Sequence, residues 1–295
     1  MNQTIPPTPK IISVGNRQIS RIISGQATAD GAGVRLRRYI GSAELDHIDP
    51  FLLLDFFESD NPDDYIAGFP SHPHRGFETV TYLLAGKVRH EDNAGHGGLI
   101  ESGGIQWMTA GRGIIHSEMP EQEQGQLAGF QLWVNLPATD KMCPPAYHEY
   151  SASQIPTEMR DNGATLQVIT GATSAQTIGP VRGVATDPIY LDVTLPADST
   201  LTEPMPEGHT TFIFVIDGEL NLPDDENTPV WLSAKQLGTL SDGTAVCVTA
   251  GDAGARFLLV AARPLNEPIA RYGPFVMNTP HEIEQAITDY NAGRF

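Results

Sequence analysis

Two short segments carry the side chains best suited to chemistry. One is His72-Pro73-His74, and the other is His116-Ser117-Glu118, which follows the glycine-rich turn Gly111-Arg112-Gly113. In a β-strand, residues i and i+2 share a face, so a His-x-His pair aims both imidazoles at one point. His116 and Glu118 have the same spacing. If the two strands pair inside a barrel, three ring nitrogens and one carboxylate converge. That donor set suits Fe(II), Mn, Co, Ni or Cu, and histidines with one carboxylate and open positions are the ligand logic of non-haem iron oxygenases. Zn is also chemically possible. A lone His-x-His more often satisfies local hydrogen bonds; the second pair at the same spacing gives the set its weight.

The elements that must position these residues read as strands. Thr79 to Leu84 ends at Ala85-Gly86, Phe130 to Leu136 stops at Pro137, and Thr211 to Ile216 runs into Asp217-Gly218, a hairpin signal. Phe257 to Ala262 is a further apolar run. Only Pro280 to Tyr290, with Ile283, Ala286, Ile287 and Tyr290 at helical steps, predicts a helix. The chain therefore reads as all-β with a short C-terminal helix. An internal repeat supports a duplicated barrel: Glu78 to Gly86 resembles Thr210 to Gly218, and Thr109-Ala110-Gly111 recurs as Thr249-Ala250-Gly251, at offsets of 132 and 140 residues. These offsets map His72 and His74 onto Pro204 and Pro206, and His116 and Glu118 onto Arg256 and Leu258. The second copy then lacks all four candidate ligands, so the expectation is one metal site, in the first half.

A chain of 295 residues suggests two domains or one large β domain, either able to bury a proper core. The net charge of -18 repels a phosphate backbone, and no basic run offsets it, which argues against direct nucleic-acid binding. Cys143 and Cys247 lie in no metal-type spacing and read as reduced thiols. Met1 to Lys10 lacks the apolar stretch of a signal peptide, and no window reaches the ~18 apolar residues of a membrane span. The expectation is a soluble, cytoplasmic protein, monomeric by default.

Several longer motifs sharpen this reading. His72-Pro-His-(x)3-Glu78-(x)7-Gly86 resembles the first cupin motif, and Gly104 to His116 resembles the second. Gly68 to Leu84, Gln106 to His116, Gly129 to Pro137 and Tyr272 to Thr279 resemble the pirin family, with the likeness running from about residue 45 to about 290. The resemblance implies two cupin barrels, residues 1–134 with the metal and 135–295 without it, the tail 266–295 returning to the first. It implies Fe(II) on His72, His74, His116 and Glu118. Glu78 stands where many cupins carry their carboxylate ligand; on the pirin pattern that role passes to Glu118, and Glu78 becomes an orienting partner of a ligand or a structural group. The implied activity is that of a quercetin 2,3-dioxygenase, an oxidoreductase acting on a flavonol-like aromatic, with Glu118 as ligand and catalytic base. The alternative is an iron-containing, redox-sensitive regulator acting through a protein partner; a metal-stabilised scaffold is a third reading.

The remaining candidates have plainer readings. His90, Glu91, Asp92 and His96 read as a solvated loop, and His47, His148, His209 and His281 are isolated. Glu58 to Tyr65 is a surface loop or a flap at the cavity mouth. Arg112 is a cation beside the ligand strand. Phe51 to Phe57 forms core or cavity wall, and Trp107 and Trp133 are core or the wall of a pocket for a flat aromatic ligand.

Overall fold

The computed structural model describes residues 15–121, 124–223 and 228–295; Met1 to Lys10 lies outside them. A seven-stranded antiparallel sheet runs in the order Ala146–Tyr150, Ile105–Thr109, Phe77–Ala85, Leu127–Asn135, Phe51–Ser59, Val34–Ile40, Gln26–Asp30. A four-stranded sheet, ordered Phe69–His74, Ile114–Pro120, Lys87–Asp92, Gly97–Glu101, closes the first barrel against it. The second barrel is a nine-stranded sheet built around the long strands Thr210–Pro223 and Ala245–Ala262. Among the described residues no helix is long and apolar enough to cross a membrane.

The central strands are buried on both faces, which explains their unbroken apolar look. Along Phe77–Ala85, Val80 and Tyr82 join Phe56, Phe130 and Leu132 in a core shared with Phe212, Phe214, Leu258 and Val260 of the second barrel. The alternate residues, Thr79 and Thr81, turn the other way, into the first barrel. Aromatic rings weld the halves: Tyr39 meets Phe214 edge-on with centroids 4.8 Å apart, and Phe51 meets Phe212 at 5.0 Å. Tyr82 Oη also donates to Asp192 Oδ2 at 2.7 Å, a carboxylate already paired with Arg256.

Strands cross the expected division at residue 134. Ile19–Ile23 pairs with Leu237–Leu240 in the second sheet, and Ala146–Tyr150 pairs with Ile105–Thr109 in the first. The segments either side of each barrel thus cover an edge of a sheet that would otherwise expose unpaired backbone groups. The Thr-Ala-Gly match is not a structural equivalence. Beside the central strands, Val80 pairs with Trp107 and Phe212 with Thr239, so both partners keep the offset of 132 (80 to 212, 107 to 239). Thr249 instead lies mid-strand, opposite Thr200 and Asn221. The counterpart of the Phe69–His74 and Ile114–Pro120 pair is Thr200–Pro204 with the start of Ala245–Ala262, not the region of Arg256 and Leu258. There Leu201, Val246 and Val248 fill an aliphatic core, and Glu203 is tied to Arg160 and Ser174.

The chain end returns to the first barrel. Phe275 bridges Arg75, and the helix Pro280–Asn291, capped by a reciprocal Thr279–Glu282 box, buries Ile283 and Ala286. Gly76, at φ +86°, lets the backbones touch: a Cβ there would lie 2.0 Å from Val276 O. Arg75 pairs with Asp289 of the helix at 2.7 Å. Lys141, 1% exposed, donates to Gly76 O, Asn135 Oδ1 and Val276 O at 2.7, 2.7 and 3.0 Å, tying barrel, linker and tail together. Cys143 and Cys247 are free thiols.

Candidate metal centre

The strands Phe69–His74 and Ile114–Pro120 pair antiparallel with His116 opposite His72 and Ile114 opposite His74. Alternation turns His72, His74 and His116 to one side, and ring centroids lie 4.7, 4.5 and 5.0 Å apart. One nitrogen from each imidazole falls within 4.8 Å of the others. His74 and His116 are buried and His72 is half-buried at the cavity edge.

Glu118 does not join this cluster. A bulge between His116 and Glu118 shifts the register, so Glu118 sits opposite Phe69 instead of continuing the His116–His72 ladder. Its carboxylate is held across the barrel, with Thr81 Oγ1 2.9 Å from Oε1 and Gln131 Nε2 donating to Oε2 at 3.3 Å. The structure therefore brings three of the four expected ligands together and places the fourth beside them on the wall of the same cavity. Thr81 and Gln131 pair across neighbouring strands, and no sequence motif marks either.

Glu78 points elsewhere. It is buried, Thr109 Oγ1 donates to its Oε1 at 2.7 Å, its Oε2 has no hydrogen-bond partner, and it bonds none of the three histidines. The orienting role is thus not seen, and Glu78 is a structural group. Burial pushes its carboxyl up to about 7 from 4.5, against the hydrogen bond from Thr109. The folded state then binds more protons than the unfolded between those two pH values, so stability falls as pH rises through that window. Glu78→Gln should flatten this part of a stability–pH curve and raise stability above pH 7 by on the order of 2 kcal/mol. An unchanged slope in urea unfolding from pH 5 to 8 would sink the idea.

A cavity of about 580 Å³ opens beside the triad. Leu36, Leu53, Phe57, Phe69 and Trp133 give it apolar walls; His72, His74, Glu118, Gln131, Arg38, Asp55 and Arg271 supply polar groups. Leu53, Asp55 and Phe57 alternate with Leu54 and Phe56 of the shared core, so Phe51 to Phe57 is both wall and core. Trp133 stands 5.3 Å from the His74 ring, while Trp107 is core. The cavity is not lined by Glu58 or by residues 60–65; Pro62–Asp64 forms a surface turn, with Tyr65 Oη bonded to Gly125 O. Arg112 is exposed and contributes its carbonyl to Arg75.

His90 and Asp92 are not on a solvated loop. Their strand pairs against the ligand strand, Asp92 opposite His116 and His90 opposite Glu118. His90 Nε2 lies 2.5 Å from Glu149 Oε2, and Tyr147 Oη donates to Asp92 at 2.9 Å. His90 is buried, but turn residues sit either side of its strand, so composition alone suggested a loop. His47, His148, His209 and His281 stay outside the triad.

Comparison with known proteins agrees with this architecture. A sequence profile described as pirin matches residues 33–134, and one described as the pirin C-terminal cupin domain matches residues 190–295. A pirin-like protein of Caulobacter vibrioides is 50% identical over 95% of this chain and 99% of its own length. The chain belongs to the pirin family. Human pirin is 42% identical over 93% of this chain and 92% of its own. A crystal structure of quercetin 2,3-dioxygenase from Acinetobacter baumannii superposes with a TM-score of 0.85 at 36% identity, covering 95% of this chain and 99% of that one.

The residues present fit the metal expected in a pirin. His74 Nδ1 and both ring nitrogens of His116 are buried without a hydrogen-bond partner, a costly arrangement unless another group takes the lone pairs. Burial and the neighbouring imidazoles hold His74 well below the usual histidine range, and burial holds His116 down to about 4. Both rings are therefore neutral at pH 7, the form that binds a metal. His72 Nδ1 lies 2.8 Å from Pro70 O, which places its proton there and leaves Nε2 as the donor atom.

Proposed function

We propose that this pirin is a metal-dependent dioxygenase that opens quercetin or a similar flavonol. The observation that carries the reading is three convergent imidazoles, with His74 Nδ1 and both His116 ring nitrogens unpartnered, beside an apolar-walled cavity of about 580 Å³ that His72 and His74 line, a size within the roughly 300–1,000 Å³ of small-molecule sites. The quercetin 2,3-dioxygenase of Acinetobacter baumannii, which shares this fold over 95% of the chain, points the same way.

His72, His74 and His116 would hold Fe(II), which when bound supplies Lewis acidity and dioxygen chemistry. Trp133, Phe57 and Leu53 clamp the flat rings and keep water from the reacting edge. Glu118 takes the proton of the 3-hydroxyl on its carboxylate, and Gln131 and Thr81 keep that carboxylate facing the cavity. Dioxygen then enters the heterocycle, carbon monoxide leaves and both dioxygen atoms stay in the depside, whose new carboxylate takes back the proton held by Glu118.

The test is quercetin turnover in air by protein reconstituted with Fe(II), with carbon monoxide measured and His74→Ala as control. Many turnovers lost in the variant support the reading. No turnover with one equivalent of iron bound would sink it and favour a redox-sensitive regulator that binds a protein partner.

A further inference from the structure

Two guanidinium groups line the cavity, and they differ in what they already hold. Arg38 is held by two carboxylates: its Nε and Nη2 bind both oxygens of Asp55 at 2.8 and 2.6 Å, and Nη2 also reaches Asp30 at 2.7 Å. Arg271 makes one side-chain hydrogen bond among the described residues, from Nη1 to Leu52 O at 3.1 Å. Arg271 is partly exposed to solvent, and a guanidinium carries five N–H donors, so most of its hydrogen-bonding capacity is open to water or to a ligand. The nearby carboxylates Asp30 and Asp55 are committed to Arg38. Burial and the charge of Arg38 both work against the Arg271 cation, so it lies below its usual value despite Asp46, Asp55 and Asp30 nearby.

Its position is fixed. The Arg271 guanidinium carbon lies over the Trp133 ring, 4.8 Å from the centroid, and that ring stands 5.3 Å from His74. One indole therefore separates an under-used cation from the histidine cluster. Stacking leaves the N–H edges of a guanidinium free in its own plane. Arg271 belongs to the hairpin Ala270–Tyr272 and Phe275–Met277, whose turn residues Gly273 and Pro274 also line the cavity. Lys141 and Arg75 anchor that hairpin through Val276 and Pro274.

We infer that Arg271 is the specificity-determining residue of the cavity: it binds an oxyanion on a planar aromatic ligand, so the substrate class is aromatic anions, an ionised phenol or a carboxylate. This rests on the reading of the cavity as a substrate site. An oxyanion gains a charge-assisted, forked contact that a neutral ring does not.

The experiment compares 2-naphthoate with 2-naphthamide, its neutral counterpart, by calorimetry on Fe(II)-loaded protein without oxygen, so that no turnover is needed. The unmodified protein should bind the anion roughly tenfold or more tightly than the amide. Arg271→Met should abolish most of that preference while leaving amide binding within about twofold. Arg271→Gln, which keeps a donor for Leu52 O, should lose it equally, and Arg271→Lys should retain part. Equal binding of the two probes by the unmodified protein overturns the inference and leaves the aromatic site standing. A preference unchanged in Arg271→Met and Arg271→Gln assigns the anion to the metal and overturns it too. Binding of neither probe overturns both this inference and the proposed flavonol site.

Discussion

The His74→Ala protein is expected to bind Fe(II) at least roughly 100-fold more weakly than the unmodified chain and to lose metal on dialysis. Loss of a supporting partner alone typically weakens a metal site 10- to 100-fold, so loss of a ligand should do more. Among the described residues three ring nitrogens lie within 4.8 Å of one another, and removing His74 leaves two. The Glu118 carboxylate is hydrogen-bonded to Thr81 and Gln131. The contrast is informative: Glu118→Gln should weaken metal binding far less than His74→Ala, since its oxygens are outside the cluster. Metal content after dialysis and the rise in melting temperature on adding Fe(II) measure both effects, because a ligand that binds only the folded state raises apparent stability. Full iron retention by His74→Ala would remove the triad as the metal site.

Lys141→Met should destabilise the protein by about 3 kcal/mol and free the chain end. The substitution keeps side-chain volume but leaves Gly76 O, Asn135 Oδ1 and Val276 O without their donor in a place water does not reach. Because Val276 sits in the hairpin that carries Arg271, the cavity wall should loosen first, and limited proteolysis should cut residues 264–295 faster than the barrels. The effect also depends on pH. Burial lowers Lys141 to about 8, against the carboxylates Glu267 and Glu282, whereas the unfolded group titrates at 10.5. The folded state binds fewer protons between those values, so this ammonium is most costly below pH 8 and its penalty fades as pH rises toward 10.5. The variant should lack that rise. Unchanged urea unfolding and unchanged cleavage would show that the three contacts add nothing.

The sequence determined a good deal by itself. Alternation at His72-x-His74 predicted two imidazoles on one face, and Ile283, Ala286, Ile287 and Tyr290 at helical steps predicted the terminal helix. These are local properties: side-chain period depends on residues a few positions apart. The likeness to pirins extended that to fold and family. The repeat was half legible, since Glu78 to Gly86 and Thr210 to Gly218 are true counterparts while the Thr-Ala-Gly match joins unrelated strand positions.

What the tertiary structure decided were the choices made between distant strands. Glu118 keeps the i, i+2 spacing of a ligand, and only the fold shows that Thr81 and Gln131, from two other strands, hydrogen-bond its carboxylate beside the triad. Glu78 stands in a ligand position by motif, but its strand turns it to Thr109. His90 and Asp92 looked like loop residues until pairing with His116 and Glu118 buried them. Arg271 carries no local signal at all and reaches the cavity only because Lys141 and Gly76 dock the chain end against the first barrel. Sequence spacing tells which side chains share a face; register and long-range docking tell what that face meets, and those depend on hydrogen bonds and packing between residues far apart in the chain.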